Sequence, residues 1–78
     1  GFIARDIVQD AIEGGPSASG VARKIRALNP EPGVYTLNES GVRVKLLRAE
    51  LHGGRLKILR LQIEGKTPRD VSGYPFAL

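Results

Sequence analysis

The 78-residue sequence has no cysteine, no methionine and no tryptophan, and one histidine, His52. Without cysteine there is no disulfide framework and no thiolate metal site; the absence also fits a reducing compartment. His52 stands in a glycine-rich turn with no second histidine and no acidic cluster beside it, so no metal site is expected. A Cys/His nucleophile cannot form, and a Ser/His pair would have nothing to support it. The acids are scattered, with no close carboxylate pair in an apolar setting. Gly53-Gly54 is too short for a phosphate-cradling loop and lies between two strands, not between a strand and a helix. No apolar run approaches the roughly 20 residues that span a bilayer, and the N-terminus lacks the basic-then-apolar pattern of a signal peptide. A chain of this kind is not expected to be a catalyst by itself.

Aromatic residues are also few: Phe2, Tyr35, Tyr74 and Phe76. That argues against a base-stacking platform of the kind that holds single strands. Positive charge is plentiful. Twelve Lys and Arg against eight Asp and Glu leave a net +4, with a pI near 10.0. The distribution is uneven. Residues 43–60 hold six basic residues and one acid, whereas residues 1–20 hold one Arg and three acids. Such a balance points to a polyanionic partner, and with so few aromatics a nucleic acid would be held by its phosphates.

The basic stretch is also the most regular one. VRVKLLRAEL, HGG and RLKILRLQIE, residues 42–64, alternate apolar with basic residues on both sides of Gly53-Gly54, which reads as a β-hairpin. Both strands break phase: Val42, Val44 and Leu46 give way to Leu47, Ala49 and Leu51, and Leu56 and Ile58 give way to Leu59, Leu61 and Ile63. With Leu51 opposite Gly54, the expected pairs are Ala49–Leu56, Leu47–Ile58, Leu46–Leu59, Val44–Leu61 and Val42–Ile63. The buried face must switch midway, as in a coiled or bulged hairpin that serves two walls of a small barrel. The same register sets Lys45 opposite Arg60 and Arg48 opposite Lys57, with Glu50 opposite Arg55. Like charges face to face are mildly destabilising, and two such pairs point to an anion from outside the chain. A bland alternative is that Lys and Arg only coat solvent-facing strands and deter edge pairing.

Residues 2–13 read as an amphipathic helix with Ile3, Ile7, Ala11 and Ile12 on its apolar stripe, stopped by Gly14-Gly15 and Pro16. That stripe needs a cover: the barrel, a partner domain or a second copy. Ser17 is placed to cap a second helix, Ala18–Leu28, with Val21, Ile25 and Leu28 apolar. Arg23, Lys24 and Arg26 near its end complement the helix dipole. Asn29-Pro30 stops it, and residues 29–33 form a rigid turn into a short strand, Val34–Leu37. Asn38–Gly41 turns the chain into the hairpin. After Gly65 and Pro68, residues 69–78 offer Val71, Tyr74, Phe76 and Leu78 as anchors of a last strand or an ordered tail. The chain divides into a helix and linker, 1–16, and a barrel, 17–78.

The run Arg26, Ala27, Asn29, Pro30, Pro32, Gly33, Tyr35, Thr36, the strand Val44–Ala49, and Gln62, Glu64, Gly65, Lys66 after a leucine-rich strand together resemble the C-terminal domain of the methionyl-tRNA formyltransferase family, over roughly residues 17–67. The resemblance implies a mainly β fold: a small open OB-like barrel preceded by helices. In that family the domain follows a catalytic domain that uses 10-formyltetrahydrofolate to formylate initiator methionyl-tRNA. The C-terminal part holds tRNA by its backbone and carries no cofactor. The catalytic domain is not in these 78 residues, and residues 2–13 and the TPRDVSGYPFAL ending depart from the family pattern. By this resemblance Arg43, Lys45, Arg48, Arg55, Lys57, Arg60 and Lys66, with Arg23 and Arg26, would contact RNA. Asn29, Pro30, Pro32 and Gly33 would fix the angle between helix and barrel, and Tyr35 is expected in the core. The partners would be tRNA and a formyltransferase catalytic domain, in the cytoplasm or an organellar matrix, with no membrane. The alternative is a module that binds no RNA, packing on the catalytic domain of a sugar-nucleotide or folate formyltransferase or dimerising through Ile3, Ile7 and Ile12.

Overall fold

A computed structural model describes residues 1–29 and 31–71. The expectations for Pro30, Tyr74, Phe76 and Leu78 lie outside them. The elements are α1 (Arg5–Ile12), α2 (Ala18–Leu28), β1 (Val34–Leu37), β2 (Arg43–His52), β3 (Arg55–Ile63) and β4 (Arg69–Asp70). The strands form one antiparallel sheet in the order β1-β2-β3-β4, with both helices before it. The fold is the expected one: mainly β with N-terminal helices and a small, open, barrel-like sheet.

Alternation decides which side of the sheet is buried. Val34 and Thr36, Val44 and Leu46, and Leu56, Ile58 and Leu61 turn inward. They share one core with Val8, Ala11 and Ile12 of α1 and with Ala18, Val21 and Ile25 of α2. The helices therefore lie on one face of the sheet, and the barrel itself covers the α1 stripe. The stripe differs from the expected one. Val8 is fully buried, whereas Ile7 is 45% exposed, and Ile3 precedes the helix. The helix starts at Arg5 because residues 1–3 run as a strand beside β1. Tyr35 N–H donates to Gly1 O and Ile3 N–H to Tyr35 O, at 3.0 and 2.9 Å. Ile3 and Ile12 are buried, at 6% and 1% exposure, and Ile7 is the exposed member of the expected stripe.

Two turns carry out their sequence signals. At the end of α1 the N–H groups of Gly14 and Gly15 donate to Ala11 O and Asp10 O, and Gly14 adopts φ +86°, a Schellman stop. Between β1 and β2, Asn38 Oδ1 accepts from the N–H groups of Ser40 and Val42, both at 2.9 Å. Ser17 departs from expectation. Its side chain makes no cap; its Oγ–H and N–H instead donate to Asp10 Oδ2, at 2.6 and 3.2 Å. Asp10 thereby ties α1 to the start of α2.

The hairpin register is two residues away from the one expected. His52 pairs with Arg55, Leu51 with Leu56, Ala49 with Ile58 and Leu46 with Leu61. The physical reason is the turn. A type I′ two-residue hairpin loop needs positive φ at both central positions, which Gly53 (φ +60°) and Gly54 (φ +79°) supply, and in the expected register His52 would have to take the first of them. A two-residue shift preserves which face each side chain takes, so the inward set survives while every partner changes. The phase break is present as paired irregularities. Leu47 has no partner between Leu46 and Arg48, and Leu59 has none between Ile58 and Arg60, so each strand carries one extra residue at the same level. The described part of the last segment joins the sheet: Asp70 pairs with Arg60, Arg69 with Leu61, and Val71 N–H donates to Leu59 O.

Candidate functional site

The face of the sheet turned away from the helices carries the hairpin's charge. Arg43, Lys45 and Arg48 follow one another along β2 on that face. The new register undoes the expected like-charge pairs. Lys45 faces Gln62, and Lys57 faces Glu50. Only Arg48 and Arg60 stand opposite each other, at the level of the bulges. Arg60 Nη1 is paired with Asp70 Oδ1 at 2.7 Å, in a setting 42% and 82% exposed, so the pair adds little stability. The inference from two like-charge pairs to an external anion therefore loses its premise. What remains is a strip of cations on β2.

Tyr35 sits on this outer face and not in the core. It pairs with Lys45, is half-buried, and carries the Arg43 guanidinium 4.4 Å above its ring centroid. Phe2, 51% exposed, packs beside the same ring with centroids 5.4 Å apart and planes tilted by 54°. Positions 34 and 36 take the inward places, so alternation puts Tyr35 outside. Phe2 went unread as a surface aromatic because residues 2–13 carry a helical pattern.

The other expected contacts are dispersed. The Arg55 side chain runs toward the end of α1: a Cβ on Gly14 would lie 3.1 Å from Arg55 Cγ. That location complements the helix dipole and takes Arg55 off the strip. Lys66 is exposed beyond β3, with its carbonyl accepting from Gln62 Nε2 at 2.8 Å. Arg23 and Arg26 lie on α2, on the helix side of the sheet. They line a groove of about 300 Å³ with Ser19, Ala22, Ala49, Glu50 and Leu51.

Asn29 stands at the C-terminal end of α2. Its Nδ2 donates to Ile25 O (2.7 Å) and Leu46 O (3.1 Å), pinning the end of α2 to β2. Gly33, buried at φ +84°, donates to Leu28 O at 2.8 Å, and its own carbonyl accepts from the Gly1 nitrogen at 2.7 Å. Pro32 is exposed in the same turn.

At the hairpin tip, His52 Nε2 and Glu50 Oε1 are 2.6 Å apart. The His52 hydrogen bond, and then the nearby charges of His52, Arg48 and Lys57, hold the Glu50 carboxyl below its ordinary range. Among the described residues there is no group of three His, Cys, Asp or Glu that could hold a metal, and no helix long and apolar enough to cross a membrane.

Among known families, the model of the formyl transferase C-terminal domain matches residues 12–55, more than half of the 78-residue chain. The matched span runs from the end of α1 through α2, the Asn29–Gly33 turn, β1 and β2 to the hairpin tip. No curated protein and no solved structure matches the chain.

Proposed function

The chain belongs to the formyl transferase C-terminal domain family, and on that premise we propose that it is the accessory domain of a methionyl-tRNA formyltransferase-like protein, holding tRNA by its backbone during translation initiation. The observation that supports this reading is the strip Arg43, Lys45, Arg48 on the open face of the sheet. No described carboxylate lies in ion-pair range of any of the three, and Lys57 extends the strip across the hairpin. Phosphates spaced along a backbone suit such a row, and no base edge has to be read. The domain supplies affinity and position, and a catalytic domain supplies the chemistry.

A salt series with tRNA tests this. With about four phosphates neutralised, log affinity should fall with log salt at a slope of roughly −3 to −4. Changing Lys45 and Arg48 to Gln should flatten the slope by about two contacts, with the amide NMR spectrum of the core unchanged. An unaltered slope, or no binding at low salt, overturns the reading. The competing assignment, a module that packs on a sugar-nucleotide or folate formyltransferase without RNA, is favoured by a different observation. Phe2 and Ile7, both exposed, line an apolar groove of about 280 Å³ with Ile3, Ala4 and Val21. Loss of docking to a catalytic domain on changing Ile7 to Ser, with tRNA affinity absent throughout, would establish it.

A further inference from the structure

The distal half of β2 has no strand on its outer side among the described residues: the pairing with β1 ends at Leu46. Because the turn closes on His52 and Arg55, His52 and Glu50 are the residues that exchange hydrogen bonds with β3. The N–H and C=O groups of Ala49 and Leu51 therefore point away from β3, toward the groove under α2. Exposed strand edges of this kind template the addition of another strand. Here the edge is not masked by an inward-pointing lysine or a proline. Its floor is small and apolar, formed by Ala22, Ala49 and Leu51, the last 43% exposed.

The wall of the groove is cationic. Arg23 and Arg26 both line it, and neither has a carboxylate partner among the described residues. Glu50 also borders the groove, with its carboxylate engaged by His52. Residues three apart on a helix are neighbours, with Cβ atoms about 5–6 Å apart. Alternate residues of a strand stand about 6.6 Å apart on one side. Two carboxylates at positions i and i+2 of an extended segment therefore match this arginine pair. We propose that the groove between α2 and the unpaired edge of β2 binds an extended acidic protein segment as an added strand, its backbone on Ala49 and Leu51 and its carboxylates on Arg23 and Arg26. A phosphate chain would use the arginines and the outward N–H groups but has no donor for the outward C=O groups and nothing for the apolar floor, so a peptide fits more of what is present. The proposal is independent of the RNA reading, because Arg43, Lys45 and Arg48 lie on the opposite face.

The test uses the full 78-residue chain and two blocked peptides, Thr-Glu-Val-Glu-Thr and its counterpart with both Glu replaced by Gln. The acidic peptide should shift the Ala49 and Leu51 amide resonances and slow their hydrogen exchange. The Gln peptide should bind roughly tenfold more weakly, the scale of two exposed charge pairs. The Arg23→Gln/Arg26→Gln double variant, altered only at exposed positions, should equalise the two peptides. Ala49→Pro, which removes an outward donor but no bond to β3, should abolish both. Equal affinity of the two peptides for the unaltered chain overturns the proposal, as do shifts confined to other residues. Protection of the Ala49 and Leu51 amides that grows with protein concentration alone assigns the edge to a second copy. Shifts of the same amides by tRNA, dependent on Arg23 and Arg26 and without any peptide effect, assign the groove to RNA.

Discussion

The two halves of the hairpin have the same kind of sequence and different surroundings. In the half below the bulges, Val44 and Leu46 are flanked by β1 on one side and β3 on the other, with both helices beneath. In the half above, β2 has no strand on its outer edge among the described residues, and Leu51, which the alternation marks as inward, is 43% exposed although its partner Leu56 is buried. Period-two patterning thus specifies a side of the sheet and not a depth. Depth is set by which other elements reach that level, and here β1 is only four residues long. The lower half is enclosed on both edges, whereas in the upper half β3 stays packed through Leu56 and Ile58 and the β2 edge is available for contact.

The comparison is broken most strongly by shortening one leucine in each half. Leu46→Ala, at a fully buried site, should cost about 3 kcal/mol, whereas Leu51→Ala should cost less than about 1 kcal/mol, as read from urea denaturation. Equal losses would mean that the upper half is packed as tightly as the lower. Next in size is the bolt between helix and strand. Asn29→Ala removes two hydrogen bonds and leaves the part-buried Leu46 carbonyl without that donor, at a cost of about 2 kcal/mol on the same assay. Thr36→Val works in the opposite direction within the lower half. Thr36 Oγ1 is buried with no partner, so removing the hydroxyl should raise stability by about 1 kcal/mol. A loss instead would reveal a partner for that hydroxyl.

The smallest effect belongs to the tip, and it depends on pH. The Glu50 carboxyl is held below its ordinary 4.5, so its ionised form stabilises the fold. That contribution is complete above the unfolded value and disappears as pH falls through the lower folded one. The stability gap between the unaltered chain and Glu50→Gln should therefore be flat near neutrality and close as the solution is made more acid than pH 4.5. A gap that persists in strong acid would assign the effect to packing.

Much of this was legible in the residues. The second helix, the first strand and the turn at Asn38–Gly41 stand where the sequence places them, because their signals act within a few residues. The inward set of the hairpin was legible from parity. Its register was not, because a two-residue shift leaves parity untouched and is decided by φ at Gly53 and Gly54. The paired extra residues Leu47 and Leu59 were visible as a phase break, although their lack of partners was not. Tyr35 was misplaced although the inward Val34 and Thr36 beside it put it outside by alternation, and the setting of Arg55 depends on the end of α1, which is distant in sequence. The strip of Arg43, Lys45 and Arg48 was legible as charge, and its separation from Arg23 and Arg26 required the helix layer.

The stack of Arg43 on Tyr35 has a practical consequence. The chain has no tryptophan and two tyrosines, so its ultraviolet emission is dominated by Tyr35 and Tyr74. With a guanidinium 4.4 Å from one of these two rings, any ligand that draws Arg43 toward itself alters the environment of an intrinsic fluorophore. The basic strip thus carries its own optical gauge, and occupancy can be followed without a dye, a label or an added residue.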